Sequence, residues 1–160
     1  KMGTLSKTIP SVGGYVAASK DIITYLRHSS RAYIFSAALP PAQAAAANEA
    51  FKVILDEPER IVKLNLNTKQ FIGGLKSMGF DTMLTETAIV PVLCGDDMTA
   101  FAITREAQLN DVFVLPVVSP AVPEGLARLR ATVTAAHDPS EIERAMDVIG
   151  EAGKKLGIIK

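Results

Sequence analysis

Arg128-Leu-Arg-Ala-Thr-Val-Thr134 alternates long polar and apolar side chains at every step. A strand sends successive side chains to opposite faces, so Leu129, Ala131 and Val133 share one face and Arg128, Arg130, Thr132 and Thr134 the other. Such a strand needs pairing partners and a cover for its apolar side. Upstream, residues 112–118 and 89–93 are apolar, β-branched runs that read as further strands, and Pro91 places the second at an edge or bulge. Between them, Gly95-Asp96-Asp97 is a turn into a helix over residues 98–110. Ser119-Pro-Ala-Val-Pro123-Glu-Gly125 is a loop kept extended by its prolines. Downstream, Ser140 with Glu143 spells a capping box, and Ile142, Ala145, Met146, Ile149 and Ala152 line one side of a closing helix. The order strand, helix, strand, strand, helix over roughly residues 80–155 predicts a small α+β layer, an antiparallel sheet with helices on one face.

The front of the chain differs. Gly3-Thr-Leu-Ser-Lys7-Thr-Ile-Pro10-Ser-Val-Gly13-Gly14 has loop composition, and residues 15–18 read as a short strand. Residues 21–28 carry helical spacing, and Tyr33-Ile34-Phe35 looks extended. Pro40-Pro41 starts a helix through residues 42–55. After Glu57-Pro58, a second long helix carries Ile61, Leu64, Thr68, Phe71, Ile72 and Leu75 on one stripe and stops at Gly79.

The 160 residues are 48% hydrophobic, which supports a packed core rather than disorder. Seventeen basic and seventeen acidic residues cancel, so no nucleic-acid partner or anionic membrane surface is indicated. The single cysteine, Cys94, excludes an internal disulfide and suits a reducing compartment. No apolar run reaches the ~20 residues of a bilayer span, so the chain reads as soluble and cytoplasmic. It opens at Lys1-Met2-Gly3 straight into loop-like sequence, which reads as a piece of something longer.

Gly3-Thr4-Leu5-Ser6-Lys7 with Gly13-Gly14-Tyr15 resembles the pyridoxal-phosphate lysine loop of the α-oxoamine synthases, which are fold type I enzymes. Further motifs join it in family order: Ile34-Phe35-Ser36-Ala37-Ala38-Leu39-Pro40-Pro41, Ile89-Val90-Pro91-Val92 with Gly95-Asp96, and residues 122–130 leading to Thr134-Ala-Ala-His137. They span nearly the whole chain. The resemblance implies an α/β protein: the tail of the fold type I large domain over residues 1–57, including the start of the interdomain helix, then a small C-terminal α+β domain over residues 58–160. The family's ring-stacking residue and pyridine-pairing aspartate lie upstream of the lysine loop and are outside this sequence.

The resemblance also implies roles. Lys7 would be the catalytic amine that forms a Schiff base with pyridoxal 5′-phosphate. An ordinary lysine is protonated at neutral pH, so a buried site would have to favour its neutral form. Thr4 would contact the cofactor phosphate, and Ser6 is either a second hydroxyl there or simple turn chemistry. Ser36 would reach across a homodimer interface to the partner's cofactor phosphate. Ala37 stands where relatives often carry a hydroxyl. Arg130 would grip the amino acid carboxylate with its planar fork, while Arg128 on the same face reads as a structural or surface charge.

The implied activity is an acyltransferase that condenses a small α-amino acid with an acyl thioester, on coenzyme A or a carrier protein, losing carbon dioxide to give an α-aminoketone. The alternatives are another fold type I enzyme, such as an aminotransferase, or a catalytically silent fragment lacking the upstream half of the site. Relatives commonly carry Arg-Pro-Pro where this chain has Val118-Ser119-Pro120, so a second cationic anchor is missing there. His137 reads as bonding the strand end or helix start, His28 has no supporting neighbours, and Asp96-Asp97 reads as a helix cap. No metal site is indicated.

Overall fold

The Gly- and Ser-rich opening segment, expected as a loop, is a β-hairpin. In the computed structural model, which describes residues 1–160, β1 (Met2–Ser6) pairs antiparallel with β2 (Pro10–Val16), matching Met2 with Val16 and Thr4 with Gly14. A bulge falls between Thr4 and Ser6. Loop composition was misleading because the strands are anchored by only two apolar side chains. Leu5 and Ile9 are buried against Ala47, with Ala50 and Ile54 alongside. Glycine serves close approach here: a Cβ on Gly14 would sit 2.7 Å from the Gly3 carbonyl oxygen across the pair.

The chain divides into two compact units, Lys1–Pro58 and Glu59–Lys160. In the first, α1 (Lys20–Ser29) follows the hairpin. Tyr33-Ile34-Phe35, expected to be extended, instead enters a helical turn, α2 (Arg31–Ile34). The Ser30 carbonyl accepts from the N–H groups of Tyr33 at 3.1 Å and Ile34 at 3.0 Å. Both sheets are made without this segment, so its β propensity has no ladder to satisfy. Helix α3 (Pro41–Asp56) begins with Pro at its first position, where the missing N–H costs nothing, and presents Ala47 to the hairpin.

In the second unit, α4 (Glu59–Ser77) buries Asn67, Thr68, Phe71 and Leu75, and Gly79 ends the turn at φ +101°. Then come β3 (Ile89–Gly95), α5 (Asp97–Leu109), β4 (Leu115–Val117), β5 (Ala127–Thr132) and α6 (Pro139–Lys155). The sheet is antiparallel in the order β3-β5-β4, so Pro91 does lie on an edge strand. Strand β4 is shorter than the apolar run that predicted it, because Val112 N–H bonds back to the Ala107 carbonyl at 2.9 Å and closes the end of α5. Leu129, Val90, Val92, Ile103, Leu75 and Ile149 are fully buried between sheet and helices.

The closing helix starts two residues before the expected cap. Asp138 is the N-cap and the Glu141 carboxylate accepts from its N–H at 2.8 Å. Pro139, with its preset φ and no N–H to satisfy, takes the first helical position and leaves Ser140 inside the helix. Asp96 caps α5 as expected, accepting from Thr99 N–H at 3.0 Å and Thr99 Oγ1 at 2.6 Å. These bonds, the side-chain one first, lower the Asp96 pKa from its ordinary 3.8. The cap's contribution is therefore present above that value and is lost as pH falls through the lowered one.

A buried hydroxyl and a half-buried thiol in this unit give measurable outcomes. Thr82 is 1% exposed and its hydroxyl has no hydrogen-bond partner. Thr82→Val replaces that orphan with a methyl of the same shape and should stabilise by about 1 kcal/mol. A lower urea midpoint in the variant would contradict this. Cys94, in β3, has its thiol pushed up from 9.0 to about 11, chiefly by burial, with the nearby Asp96 charge adding to it and a backbone hydrogen bond opposing. Native Cys94 should resist alkylation at neutral pH and react as pH approaches 11, while the unfolded chain reacts near 9. Because the folded value is the raised one, this thiol's contribution to stability is complete below 9.0 and lost as pH rises to about 11.

Candidate functional site

Strand alternation builds the lysine turn. Leu5 points into the small core, so its neighbours Thr4 and Ser6 point the other way, and their hydroxyl oxygens lie 2.9 Å apart. Ser6 N–H donates to Thr4 Oγ1 at 3.3 Å, and Thr4 Oγ1 donates to the Gly13 carbonyl at 3.5 Å. Lys7 begins the turn directly after β1, and burial of Leu5 and Ile9 on either side fixes where that turn lies. Ser11 Oγ donates to the Gln43 carbonyl at 2.8 Å, tying the returning strand to α3. Thr4 also borders a cleft of about 610 Å³ with an apolar lining that includes Tyr15, Ile23, Leu26 and Tyr33.

Lys7 itself is exposed and makes no hydrogen bond or ion pair. This corrects the expectation of a buried amine: the residues of this chain present the amine but do not dry its surroundings. Ser36 follows α2, is exposed and also makes no hydrogen bond, so the fold does not join it to the Thr4–Ser6–Lys7 cluster within one chain.

In the second unit the strand face opposite the core carries Arg128 and Arg130. The register sets Pro91 and Leu115 on either side of Arg130. Arg130 is exposed and makes no hydrogen bond or ion pair, so all its donors are open to a carboxylate. The Arg128 guanidinium is engaged instead, Nε donating to the Leu126 carbonyl at 2.9 Å and Nη1 to Met83 Sδ at 3.0 Å. No sequence signal pointed to Met83, which lies 45 residues upstream of Arg128. His137 bonds the strand end as expected, its Nδ1 accepting from Thr134 N–H at 3.3 Å. Asn67 braces the same corner through the Thr134 and His137 carbonyls, at 3.0 and 2.9 Å.

The model of the family described as aminotransferase class I and II matches residues 1–149. The chain belongs to that family. Over 159 residues it is 42% identical to the 8-amino-7-oxononanoate synthase of Bacillus pumilus, with 99% of this chain and 41% of that protein covered. It is 37% identical over 157 residues to the serine palmitoyltransferase of Bacteriovorax stolpii, covering 98% of this chain and 37% of that one. Both relatives are α-oxoamine synthases, so the resemblance read from the motifs is borne out. Among solved structures, a serine palmitoyltransferase with PLP internal aldimine superposes with a TM-score of 0.90 at 32% identity, over 99% of this chain and 40% of that one. The Sphingomonas wittichii serine palmitoyltransferase gives 0.89 at 28% identity, over the same shares. The chain thus spans well under half the length of the relatives it matches. Its fold class is that of these enzymes, an α/β chain corresponding to a portion of theirs.

The donor set at the hairpin suits pyridoxal 5′-phosphate. A primary amine meets an aldehyde's needs, and two exposed hydroxyls paired at 2.9 Å on one strand face can re-aim their protons toward a phosphate.

Proposed function

We propose that this chain is the C-terminal part of a pyridoxal-phosphate-dependent acyltransferase. The complete enzyme joins a small α-amino acid to an acyl thioester, with decarboxylation, to give an α-aminoketone. The lysine turn carries this reading: Lys7 stands beside paired hydroxyls, on a hairpin positioned by Leu5 and Ile9, in a chain of this family. Bound there, the cofactor would supply the electron sink that makes a carbanion at the amino acid's α-carbon accessible. Thr4 and Ser6 offer hydroxyl donors to its phosphate. Lys7 would hold the cofactor's aldehyde through its Nζ, and that same amine, when free, could take and return protons at the substrate. Arg130 holds the substrate carboxylate through two parallel N–H donors, and that fixed orientation decides which bond lies in position to break.

In the same reading, residues 1–57 are the end of the cofactor domain and residues 58–160 the small domain. Ser36 serves the partner subunit's cofactor in a homodimer, which agrees with its exposed, unengaged hydroxyl. The names of the similar proteins favour a straight-chain acyl donor. No helix is long and apolar enough to cross a membrane, and we place the enzyme in the cytoplasm with its thioester substrates.

The test is a thioester-release assay on the complete enzyme with a panel of amino acids and acyl donors, coupled to product analysis. The expected product is an aminoketone whose mass is that of the amino acid and acyl thioester together, less carbon dioxide and the released thiol. Amino transfer to a keto acid with no thioester consumed would overturn the assignment in favour of an aminotransferase.

A further inference from the structure

Two guanidinium groups lie on one face of β5, two residues apart, yet they are in opposite states. Arg130 is unengaged, whereas Arg128 is half-buried and tied at two points. Its Nε bond fixes the Leu126 carbonyl, at the end of the loop that joins β4 to β5. Its Nη1 bond reaches Met83, in a separate turn that precedes β3. That turn is made at a cost. Met83 has φ +56°, a conformation that favours glycine or asparagine, and its N–H is held by the Asp81 carboxylate at 2.7 Å. From that turn the Met83 sulfur is the acceptor that meets Arg128. The other end of the β4–β5 loop is fastened too, Ser119 N–H donating to Asp97 Oδ1 at 3.3 Å at the start of α5.

We infer that Arg128 is a positioning residue, a clasp that locks the β4–β5 loop to the Met83 turn and keeps a second guanidinium from competing with Arg130 for the carboxylate. The inference rests on the proposed role of Arg130 for its functional half, but the clasp itself is a property of this chain. Only the guanidinium fork spans both acceptors. A lysine at 128 retains the charge and loses the second bond.

The experiment uses the complete enzyme with Arg128→Ala, Arg128→Lys and Met83→Leu, each checked by circular dichroism. Cleavage after the exposed Glu124, within the loop, is followed with a glutamate-specific protease and mass spectrometry. Loss of about one net hydrogen bond predicts about fivefold faster cleavage in Arg128→Lys and Met83→Leu, and loss of both bonds predicts a larger increase in Arg128→Ala. The KM for the amino acid should rise several-fold in the Arg128 variants while kcat stays within about twofold, the pattern of a binding surface out of place. Unchanged cleavage in Arg128→Ala would overturn the clasp, and so would wild-type cleavage in Arg128→Lys, which would reduce the residue to a mere charge. Where Arg128→Ala fails to fold, Arg128→Lys and Met83→Leu decide alone. Faster cleavage in an enzyme that proves to consume no acyl thioester would support the clasp while removing the acyltransferase reading.

Discussion

Lys7→Ala in the complete enzyme is expected to lower turnover by about four orders of magnitude or more, because the role proposed for it, holding the cofactor and moving the proton, has no substitute in its reach. The same change removes the visible absorbance that appears when a lysine amine condenses with pyridoxal 5′-phosphate. Lys7→Arg is the informative companion. It keeps a positive charge at the hairpin turn but cannot form the covalent bond, so it should be as inactive as the alanine variant. The fold should tolerate both changes, since the exposed side chain contributes nothing to the core that Leu5, Ile9 and Ala47 form. Unfolding of either variant would show that the turn has a structural role not visible here. Retained turnover with retained absorbance would transfer the chemistry to another lysine.

Arg130→Ala raises the amino acid KM by about a hundredfold, the equivalent of losing a two-point, charge-assisted contact. Arg130→Lys should fall between, because an ammonium keeps the charge without the planar fork. The KM for the acyl thioester should change far less, and that contrast separates a carboxylate-binding role from general damage to the sheet. Ordinary saturation by the amino acid in Arg130→Ala would take the residue out of the site.

These outcomes depend on features that were legible to very different degrees. The alternation from Arg128 to Thr134 determined its own strand, and with it which side chains are buried, because a period of two admits only one division into faces. The cap at Asp96 was equally local and appears where the residues indicate, as does the part of the α4 stripe at Thr68, Phe71 and Leu75, whereas Ile61 at its start is exposed. Three local readings failed for physical reasons. The opening segment has loop composition but forms a hairpin, since pairing between strands and burial against α3 outweigh propensity. Tyr33-Ile34-Phe35 has strand composition but no strand beside it. The cap expected at Ser140 moved to Asp138 because Pro139 is better placed as the first helical residue.

The sequence by itself determined the order of elements in the second unit, through residue type and short spacing, and, through its motifs' resemblance to a family, the family and the candidates Lys7, Thr4, Ser6, Ser36 and Arg130. Only the tertiary structure decided that Thr4 and Ser6 bring their hydroxyls to 2.9 Å on the face opposite Leu5, and that of two arginines on one strand face Arg128 is engaged and Arg130 open. Those facts turn on a bulge and on a contact between residues 45 positions apart, and such pairings are set by packing, which local sequence does not encode.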